Sequence, residues 1–334
     1  MSCPDQIYFY TTYDISILTS LFSLSQVDIV WVIKDNSIAA TFVDPGAGQF
    51  FLDEMFNKKD ESGLESIQPA IKRTKYTARE FKAQSNDIFG GALGPDWHSH
   101  LEVEGCLETK KNVTLETEAG IENILETPDE EFRVAVKLSN GKVIKCDLVV
   151  SATGVIPNGN TIKIVDLVLD NDNAIVINDQ METNLKNVYA AGDVSSCSGW
   201  NHSPLWFQMR LWTQARQMGS YAGQSVHAAW LDDGKSKDLD FCFEMFTHAT
   251  KFFGFKVILL GLFNGQGLDN EFEVLLRVTK GKEYVKVILK QGRMQGAILV
   301  GETDLEETFE NLILNQMDLS IYGEDLLDPN KSMH

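Results

Sequence analysis

The segment TNLKNVYAAGDV, residues 183–194, is a short apolar run that ends in Ala191, Gly192 and Asp193. A glycine at the end of a strand lets the backbone approach a ligand closely, because no side chain stands in the way. A carboxylate beside it can accept hydrogen bonds from sugar-like hydroxyls. Asp193 has an ordinary alternative role as a turn or helix-cap residue, so this turn alone does not identify a site.

A second informative segment, DLVVSATGVIPN at 147–158, lies upstream of this turn. Its apolar strand leads into a turn at Thr153 and Gly154 and then a Pro-Asn stop. The two segments in this order resemble the second half of pyridine nucleotide-disulfide oxidoreductases, and several motifs in order are harder to match by chance than one. The resemblance implies an α/β fold, with incomplete Rossmann-like FAD- and NAD(P)-binding domains followed by an α+β C-terminal domain. It also implies FAD and NAD(P)H as cofactors.

The segment RLWTQARQMG, residues 210–219, resembles the flavin-facing helix of the same superfamily. The positive N-terminal end of such a helix can stabilise negative charge on a reduced isoalloxazine. Trp212 then lies beside the ring, or alternatively is a core tryptophan on an amphipathic helix. The resemblance implies cofactor contacts from Thr153, Gly154, Ala191, Gly192, Asp193, Arg210 and Trp212.

The reaction implied by the resemblance is hydride transfer from NAD(P)H to flavin, in which the cofactor supplies the chemistry and the protein supplies orientation and electrostatics. We therefore name no catalytic side chain. The implied function is an FAD-dependent oxidoreductase that passes electrons to an unknown acceptor, with a role in the oxidative stress response. The alternative is a shortened, non-catalytic interaction protein that no longer binds flavin.

Several features depart from the pattern of the family. No Gly-x-Gly-x-x-Gly turn for the FAD pyrophosphate occurs, and the second glycine turn, expected between Thr11 and Ile17, reads TTYDISI. We therefore expect a chain that is truncated at its N-terminus and binds FAD weakly or not at all. No redox cysteine pair is present, which argues against disulfide reduction. Lys34 favours NADP and Asp35 favours NAD, so the choice between the two stays open.

We expect three domains, which the resemblance identifies. It implies an NAD(P)H-binding-like domain at 1–152 with a charged insertion at 57–91, a remnant of an FAD-binding domain at 153–235, and an α+β domain at 236–334, and the hydrophobic pattern supplies the strands and helices of each. Val149 and Tyr189 end strands that should share one sheet. A long helix is predicted after Pro204, and its inward positions are Leu205, Trp212, Ala215, Gly219, Ala222, Val226 and Ala229.

The C-terminal stretch KEYVKVILKQGRMQGAILVGE, residues 282–302, resembles the terminal β-domain of nitrite-reductase-like and rubredoxin-reductase-like flavoproteins. The pattern predicts a hairpin of 284–290 and 294–300, followed by a helix at 302–316.

The formal net charge of −19 argues against general affinity for nucleic acid or for an anionic membrane. No stretch reads as a transmembrane helix and no metal site is predicted. A protein partner is possible in the non-catalytic alternative. The scattered cysteines and the absence of a signal peptide favour an intracellular, reducing location in the cytoplasm and also the nucleus.

Overall fold

The computed structural model describes residues 6–11, 28–56, 70–76, 113–127, 132–200, 202–231, 238–269 and 271–329. The chain forms two compact units. Unit 1 comprises Met1–Gly154, Ala249–Ile258 and Phe263–His334, and unit 2 comprises Val155–His248 and Leu259–Leu262. The predicted α/β class is confirmed. The division into three domains at 152 and 235 stays a prediction.

The helices and strands of the described residues have the following bounds: β1 Gln6–Thr11, β2 Asp28–Val32, α1 Pro45–Phe56, β3 Ala70–Tyr76, β4 Val113–Glu116, β5 Ile121–Glu126, β6 Val134–Leu138, β7 Val143–Cys146, β8 Leu148–Ala152, β9 Ile175–Val176, β10 Ser195–Ser196, α2 Trp212–Leu231, β11 Thr247–Phe252, β12 Phe255–Gly261, β13 Phe272–Thr279, β14 Glu283–Lys290, β15 Arg293–Val300 and α3 Glu306–Asn315.

A parallel sheet of unit 1 has the strand order β4-β2-β1-β8. Apolar runs such as 28–32 suit it, because parallel strands are covered on both faces. β1 lies between β2, the next strand along the chain, and β8, which pairs with its opposite edge. The carboxyl ends of β1 and β8 therefore form the point at which the strand order reverses, where open α/β sheets bind their ligands.

The strands β7 and β8 follow each other almost directly in the chain but belong to two different sheets. β7 pairs with β6 in the antiparallel sheet β5-β6-β7, whereas β8 joins the parallel sheet. β5 escaped prediction because five of its six residues are exposed and show no alternation. The turn between β6 and β7 contains Gly141, which has a φ of +86°. Between these two sheets lies a core of Val32, Ala119, Val136, Leu138 and Cys146.

A six-stranded sheet has the order β11-β12-β15-β14-β13-β3. Its central hairpin was predicted, and it turns at Gln291 and Gly292, whose φ angles of +52° and +72° match the twist of the flanking strands. β3 corrects the sequence reading, because Ala70–Tyr76 belongs to the stretch 57–91 that was expected to be an irregular insertion. β3 pairs antiparallel with β13 over its whole length, and this hydrogen bonding outweighs its polar composition. The rest of that stretch lies outside the described residues.

The helix predicted after Pro204 begins only at Trp212, and its inward face was assigned wrongly. Met218 and Tyr221 face the core of unit 2, where they pack with Trp206 and Phe243. The small residues of α2 also recur at helical spacing. The large side chains bury more apolar area, however, and so they determine which face of the helix points inward. The buried residues of α2 are Gln214, Met218, Tyr221 and Ser225, whereas the predicted positions Trp212, Gly219 and Val226 are exposed.

Two further expectations also change. Val149 lies in β8, but Tyr189 forms only an isolated bridge with Glu182, so the prediction that both lie in one sheet is wrong for the described residues. The third helix, α3, is shorter than predicted and begins after Leu305, with Glu306 and Glu307 in its first turn, where the helix dipole favours acidic residues. The glycine-free turn after Thr11 lies outside the described residues.

A buried polar network ties α1 to β14 in unit 1. Asp44 accepts hydrogen bonds through Oδ1 from the Ala47 N–H at 3.2 Å and the Tyr284 hydroxyl at 2.7 Å. Its Oδ2 lies 2.7 Å from Lys286 Nζ, which also donates to Asn264 Oδ1 at 2.7 Å. The Lys286 and Asp44 side chains are 0% and 1% exposed. Burial raises the pKa of Asp44, but Lys286 and the hydrogen bonds outweigh it and leave that pKa below its ordinary value.

We expect Lys286→Met to lower the free energy of unfolding by about 3–5 kcal/mol, because it leaves the Asp44 carboxylate buried without a counter-charge. The control is Lys256→Met, which removes a lysine from an ion pair with Glu302 and Glu306 at the partly exposed surface of the same unit. Urea unfolding of both variants measures the difference. Equal losses of unfolding free energy in the two variants would show that the buried ion pair of Lys286 stabilises the fold no more than the surface ion pair of Lys256.

Candidate functional site

Two of the predicted residues lie at the carboxyl edge of the parallel sheet. Thr11 is paired with Ala152, so β1 and β8 end side by side, and Thr153 and Gly154 follow directly. Both are exposed. Gly154 has a φ of +86°, in the left-handed region that favours glycine. This edge therefore presents exposed backbone where a dinucleotide binds in open α/β sheets.

Backbone pairing continues beyond the end of β2. The Ile33 N–H donates to Glu116 O at 2.9 Å, and the Glu118 N–H donates to Asp35 O at 3.0 Å. Lys34 is exposed and Asp35 is half-buried. Next to this segment is a pocket of about 150 Å³ with uncharged walls, lined by Asn36, Ser37, Ile38, Pro45, Gln49, Leu52 and Leu115.

The predicted Ala-Gly-Asp turn lies in unit 2. Gly192 has a φ of +77°, and a Cβ added there would lie 3.2 Å from the Ala215 Cβ of α2. The Ser195 hydroxyl donates to Gly192 O at 2.7 Å and holds the turn in place. Glycine is required at this position both for its backbone angle and for the close packing of the turn on the helix.

Asp193 is half-buried, and its carboxylate has no hydrogen-bond or ion-pair partner among the described residues. The ordinary alternative for this residue was a turn or helix cap. The short 3-10 helix Gly192–Val194 has Ala191 at its N-cap and no side-chain cap bond. The carboxylate is therefore available to a ligand, and a free acceptor beside a left-handed glycine turn fits the hydroxyls of a ribityl chain.

Arg210 and Trp212 stand at the start of α2 with different surroundings. Arg210 forms a close ion pair with Asp172, and this hydrogen bond holds the pKa of Asp172 below its usual value. Trp212 is the first residue of α2 and is 76% exposed. That exposure rules out the alternative of a core tryptophan and leaves the ring free to contact a ligand.

Sequence reasoning missed two glutamines that shape the approach to α2. Gln208 accepts from the Cys197 N–H at 3.0 Å and donates to Ser195 O at 2.9 Å. Gln214, which is 3% exposed, accepts from the Met209 N–H at 2.7 Å and donates to Phe207 O at 3.0 Å. Through these hydrogen bonds, both side chains hold in place the segment that directly precedes α2. A glutamine reads as a surface residue in a sequence, so no pattern indicated this role.

The N-terminus of α2 carries no acidic residue in its first turn. Thr213 Oγ1 lies 3.4 Å from His248 Nδ1, and burial lowers the pKa of His248, which favours the neutral imidazole at neutral pH. The partial positive charge of a 20-residue helix is thus not neutralised by a first-turn carboxylate. Such a helix end can stabilise negative charge on a ligand.

The cysteines that the structure describes are free thiols: Cys146, Cys197 and Cys242. Burial raises the pKa of Cys197 to about 12 and that of Cys146 to about 11. Neither thiol supplies a thiolate at neutral pH. The described residues hold no group of three or more His, Cys, Asp or Glu side chains that could bind a metal ion. In the same part of the chain, no helix combines the length and apolar character needed to cross a membrane.

Two family models match the chain. The pyridine nucleotide-disulphide oxidoreductase model matches residues 100–219, and the rubredoxin NAD+ reductase C-terminal domain model matches residues 248–317. Among curated proteins, pyridine nucleotide-disulfide oxidoreductase domain-containing protein 1 of Mus musculus is 47% identical over 91% of this chain and 65% of its own length. The Homo sapiens protein of that name is 44% identical over 94% and 67%. The chain thus spans about two thirds of the length of these relatives.

Solved structures share the fold at low sequence identity. A ferredoxin reductase of Rhodopseudomonas palustris is 16% identical, with a TM-score of 0.62 over 97% of this chain and 63% of its own. The water-forming NADH oxidase of Lactobacillus brevis, bound to NADH, is 12% identical, with a TM-score of 0.59 over 94% and 59%. These likenesses support the α/β reductase fold.

We expect Gly192→Ala to destabilise unit 2 by about 1–3 kcal/mol, because alanine must adopt a left-handed backbone while its methyl group meets Ala215. The control is Gly223→Ala on the exposed face of α2, where an added Cβ meets nothing within 4 Å. In a helix this control should stabilise by about 0.5–1 kcal/mol. Thermal unfolding followed by circular dichroism shows whether each variant is less or more stable than the unmodified chain. A neutral Gly192→Ala would refute the packing argument.

Proposed function

Because the chain belongs to the pyridine nucleotide-disulfide oxidoreductase family, we propose that it acts in an FAD-dependent NAD(P)H oxidoreductase. Unit 1 supplies the nicotinamide dinucleotide site and unit 2 supplies contacts to the flavin. One observation carries the proposal most directly: Asp193 presents a half-buried carboxylate without a described partner, next to a left-handed Gly192 turn packed on α2. A carboxylate that is not used by the protein can accept hydrogen bonds from the hydroxyls of a ligand, and its place beside this turn supports that role.

Each residue of unit 2 has a role that follows from its surroundings. When bound, the flavin supplies the chemistry of accepting a hydride from the nicotinamide and passing electrons onward. Asp193 would accept hydrogen bonds from the ribityl hydroxyls, beside the close turn that Gly192 allows. The N-terminus of α2 would stabilise negative charge on the flavin, and Trp212 would shield the ring from water. Arg210 acts through Asp172 and holds the chain that precedes α2.

In unit 1, Thr153 and Gly154 bind the dinucleotide at the carboxyl ends of β1 and β8. The geometry supports this role because the edge is exposed, contains a left-handed glycine and coincides with the reversal of strand order. The NADH-bound oxidase of the same fold is consistent with such a site. No side-chain acid or base is needed, because hydride transfer moves no proton.

The state of the described cysteines argues against a disulfide as the electron acceptor. The three described cysteines are free thiols with raised pKa values, so they form no dithiol that could relay electrons. We therefore propose oxygen, a quinone or a protein acceptor rather than a disulfide. A role in the oxidative stress response and a location in the cytoplasm and nucleus belong to the same proposal.

A second candidate function is a non-catalytic interaction protein. It is favoured by large apolar side chains of unit 2 that are highly exposed, namely Ile156 at 85%, Val165 at 81% and Trp230 at 84%. Exposed apolar groups of this size often mark protein contacts. The two candidates differ in whether flavin binds at all.

The test uses the chain alone and a chimera in which it is joined to the part of the Mus musculus relative that it does not span. We expect the chimera to carry FAD and its visible absorption to be bleached anaerobically by reduced nicotinamide dinucleotide. Asp193→Ala should weaken flavin retention by about 1–3 kcal/mol, the range for losing a hydrogen-bond partner of a charged group. The control is Asp179→Ala, which removes an exposed carboxylate from the same unit.

A colourless chimera would refute the flavin site and favour the interaction protein. Equal flavin retention by the Asp193→Ala and Asp179→Ala variants would refute the assignment of Asp193. A yellow protein that reduced nicotinamide dinucleotides do not bleach would refute the oxidoreductase activity while leaving flavin binding intact. Absorption spectra before and after addition of the dinucleotide distinguish these outcomes.

A further inference from the structure

We propose that Gln208 is a positioning residue that holds the Asp193 carboxylate in the direction needed to bind a ribityl chain. The inference rests on the proposed function and adds to it a residue that acts through Ser195. Gln208 is half-buried in unit 2, and its side-chain amide joins the segment that precedes α2 to β10, the short strand that follows the Gly-Asp turn.

The first step of the argument is the connection between Gln208 and the turn that carries Asp193. Gln208 Nε2 donates a hydrogen bond to Ser195 O at 2.9 Å. The Ser195 hydroxyl donates to Gly192 O at 2.7 Å, and the Ser195 N–H donates to the same oxygen. Because Ser195 is 0% exposed, water cannot replace these partners. A shift of the Ser195 peptide is therefore passed to the residue that directly precedes Asp193.

The second step is that Gln208 also holds the other end of β10. Gln208 Oε1 accepts a hydrogen bond from the Cys197 N–H at 3.0 Å. β10 has only two residues, Ser195 and Ser196, and pairs in parallel with β9. So short a strand has few backbone hydrogen bonds of its own. The two bonds from Gln208, one at each end of β10, are therefore a large part of what fixes it.

The third step is that the segment on which Gln208 stands is itself fixed. Phe207 is 3% exposed, and its ring stacks on the ring of Phe246 with the centroids 4.4 Å apart. Gln214 of α2 donates to Phe207 O at 3.0 Å and accepts from the Met209 N–H at 2.7 Å. The neighbours of Gln208 on both sides are thus bound to the first turn of α2. Gln208 thereby connects the two elements that the proposed function places against the flavin.

The fourth step is that the Asp193 carboxylate depends on these contacts. It has no hydrogen-bond or ion-pair partner among the described residues, so its direction follows from the backbone of the turn. A hydrogen bond weakens steeply when its angle departs far from linear. Binding groups therefore need supporting hydrogen bonds that hold them close to the productive geometry. Gln208 supplies this support to Asp193 by way of Ser195.

The chemistry of the amide shows which substitutions separate the two contacts of Gln208. A glutamate keeps an acceptor for the Cys197 N–H but cannot donate to Ser195 O. A methionine has a similar length but neither an N–H donor nor a strong acceptor. The test variants are therefore Gln208→Glu and Gln208→Met, each made with Asp193 intact and together with Asp193→Ala.

The matched control is Asn184→Leu, which removes another amide that bridges two backbone groups of unit 2. Asn184 Oδ1 accepts from the Val168 N–H at 2.9 Å, and Asn184 Nδ2 donates to Asp166 O at 2.7 Å. These partners belong to the stretch 166–168 rather than to the Gly-Asp turn. The control therefore reports what the loss of a bridging amide does without the connection to Asp193.

The experiment measures the affinity for FAD of the chimera described above, by titration of the flavin fluorescence. The single and double variants form a double-mutant cycle between positions 208 and 193. The visible circular dichroism of the bound flavin reports the surroundings of the ring. Urea unfolding and far-ultraviolet circular dichroism of the 334-residue chain show how far each substitution affects the fold itself.

We expect both Gln208 variants to weaken FAD binding about tenfold when Asp193 is present, and by less than about twofold in the Asp193→Ala background. The effect disappears there because no carboxylate remains to be positioned. The visible circular dichroism of the flavin should change in the same direction in the Gln208 variants as in Asp193→Ala. Asn184→Leu should lower the stability of the chain but change the FAD affinity by less than about twofold in either background.

An equal loss of FAD affinity in the two backgrounds would overturn the inference, because a merely structural role of Gln208 does not depend on the carboxylate. Unchanged affinity in both Gln208 variants would overturn it as well. If Gln208→Met unfolds the chain, Gln208→Glu still closes the cycle, and unfolding of both variants would show a structural residue and contradict the proposal. A chimera that binds no FAD would overturn the flavin site of the proposed function, and the role of Gln208 with it.

Discussion

The buried contact between Lys286 and Asp44 is the interaction on which the arrangement of unit 1 depends. A lysine with 0% exposure is tolerated only because its ammonium meets a carboxylate and an amide oxygen at 2.7 Å. The same carboxylate caps α1 and accepts from Tyr284. The Asp44 carboxylate therefore accepts hydrogen bonds from the N-terminus of α1, a buried ammonium group and a buried hydroxyl, and in this way it joins α1 to β14. Because α1 follows the segment after β2, this contact also fixes the edge of the parallel sheet.

Two glycines determine how the chain leaves its strands at the candidate cofactor contacts. Gly154, at a φ of +86°, follows β8, and Gly192, at +77°, begins the turn that packs on α2. At Gly154 the left-handed backbone is exposed, whereas Gly192 is buried and its carbonyl accepts the Ser195 hydroxyl. The sequence motifs were informative for this reason: they mark positions where only glycine avoids strain.

The parts of the fold that were predictable are those specified by local pattern. Hairpin turns, the apolar strands of the C-terminal sheet and the glycine turns are encoded by neighbouring residues. The network of Asp44 and Lys286 joins residues far apart in the chain, and neither has a local signal. β3 escaped prediction because its partner β13 lies equally far away. The inward face of α2 was assigned wrongly because two different faces of the helix show helical spacing. One carries Trp, Gly and Ala, the other Met218 and Tyr221, and only the packing in the folded unit shows which face is buried.

The distinction between structural and functional carboxylates comes from their partners. Asp170 accepts from the N–H groups of Asp172 and Ala174, and Asp44 accepts from a helix end and two side chains, so both stabilise the fold. Asp35 and Asp193 are half-buried without a partner among the described residues, yet each is attached to backbone that other groups hold rigid. Partly burying a charge without a partner costs folding free energy. At the turn that Ser195 holds in place, the Asp193 carboxylate is therefore preorganised to accept hydrogen bonds from hydroxyls of a ligand.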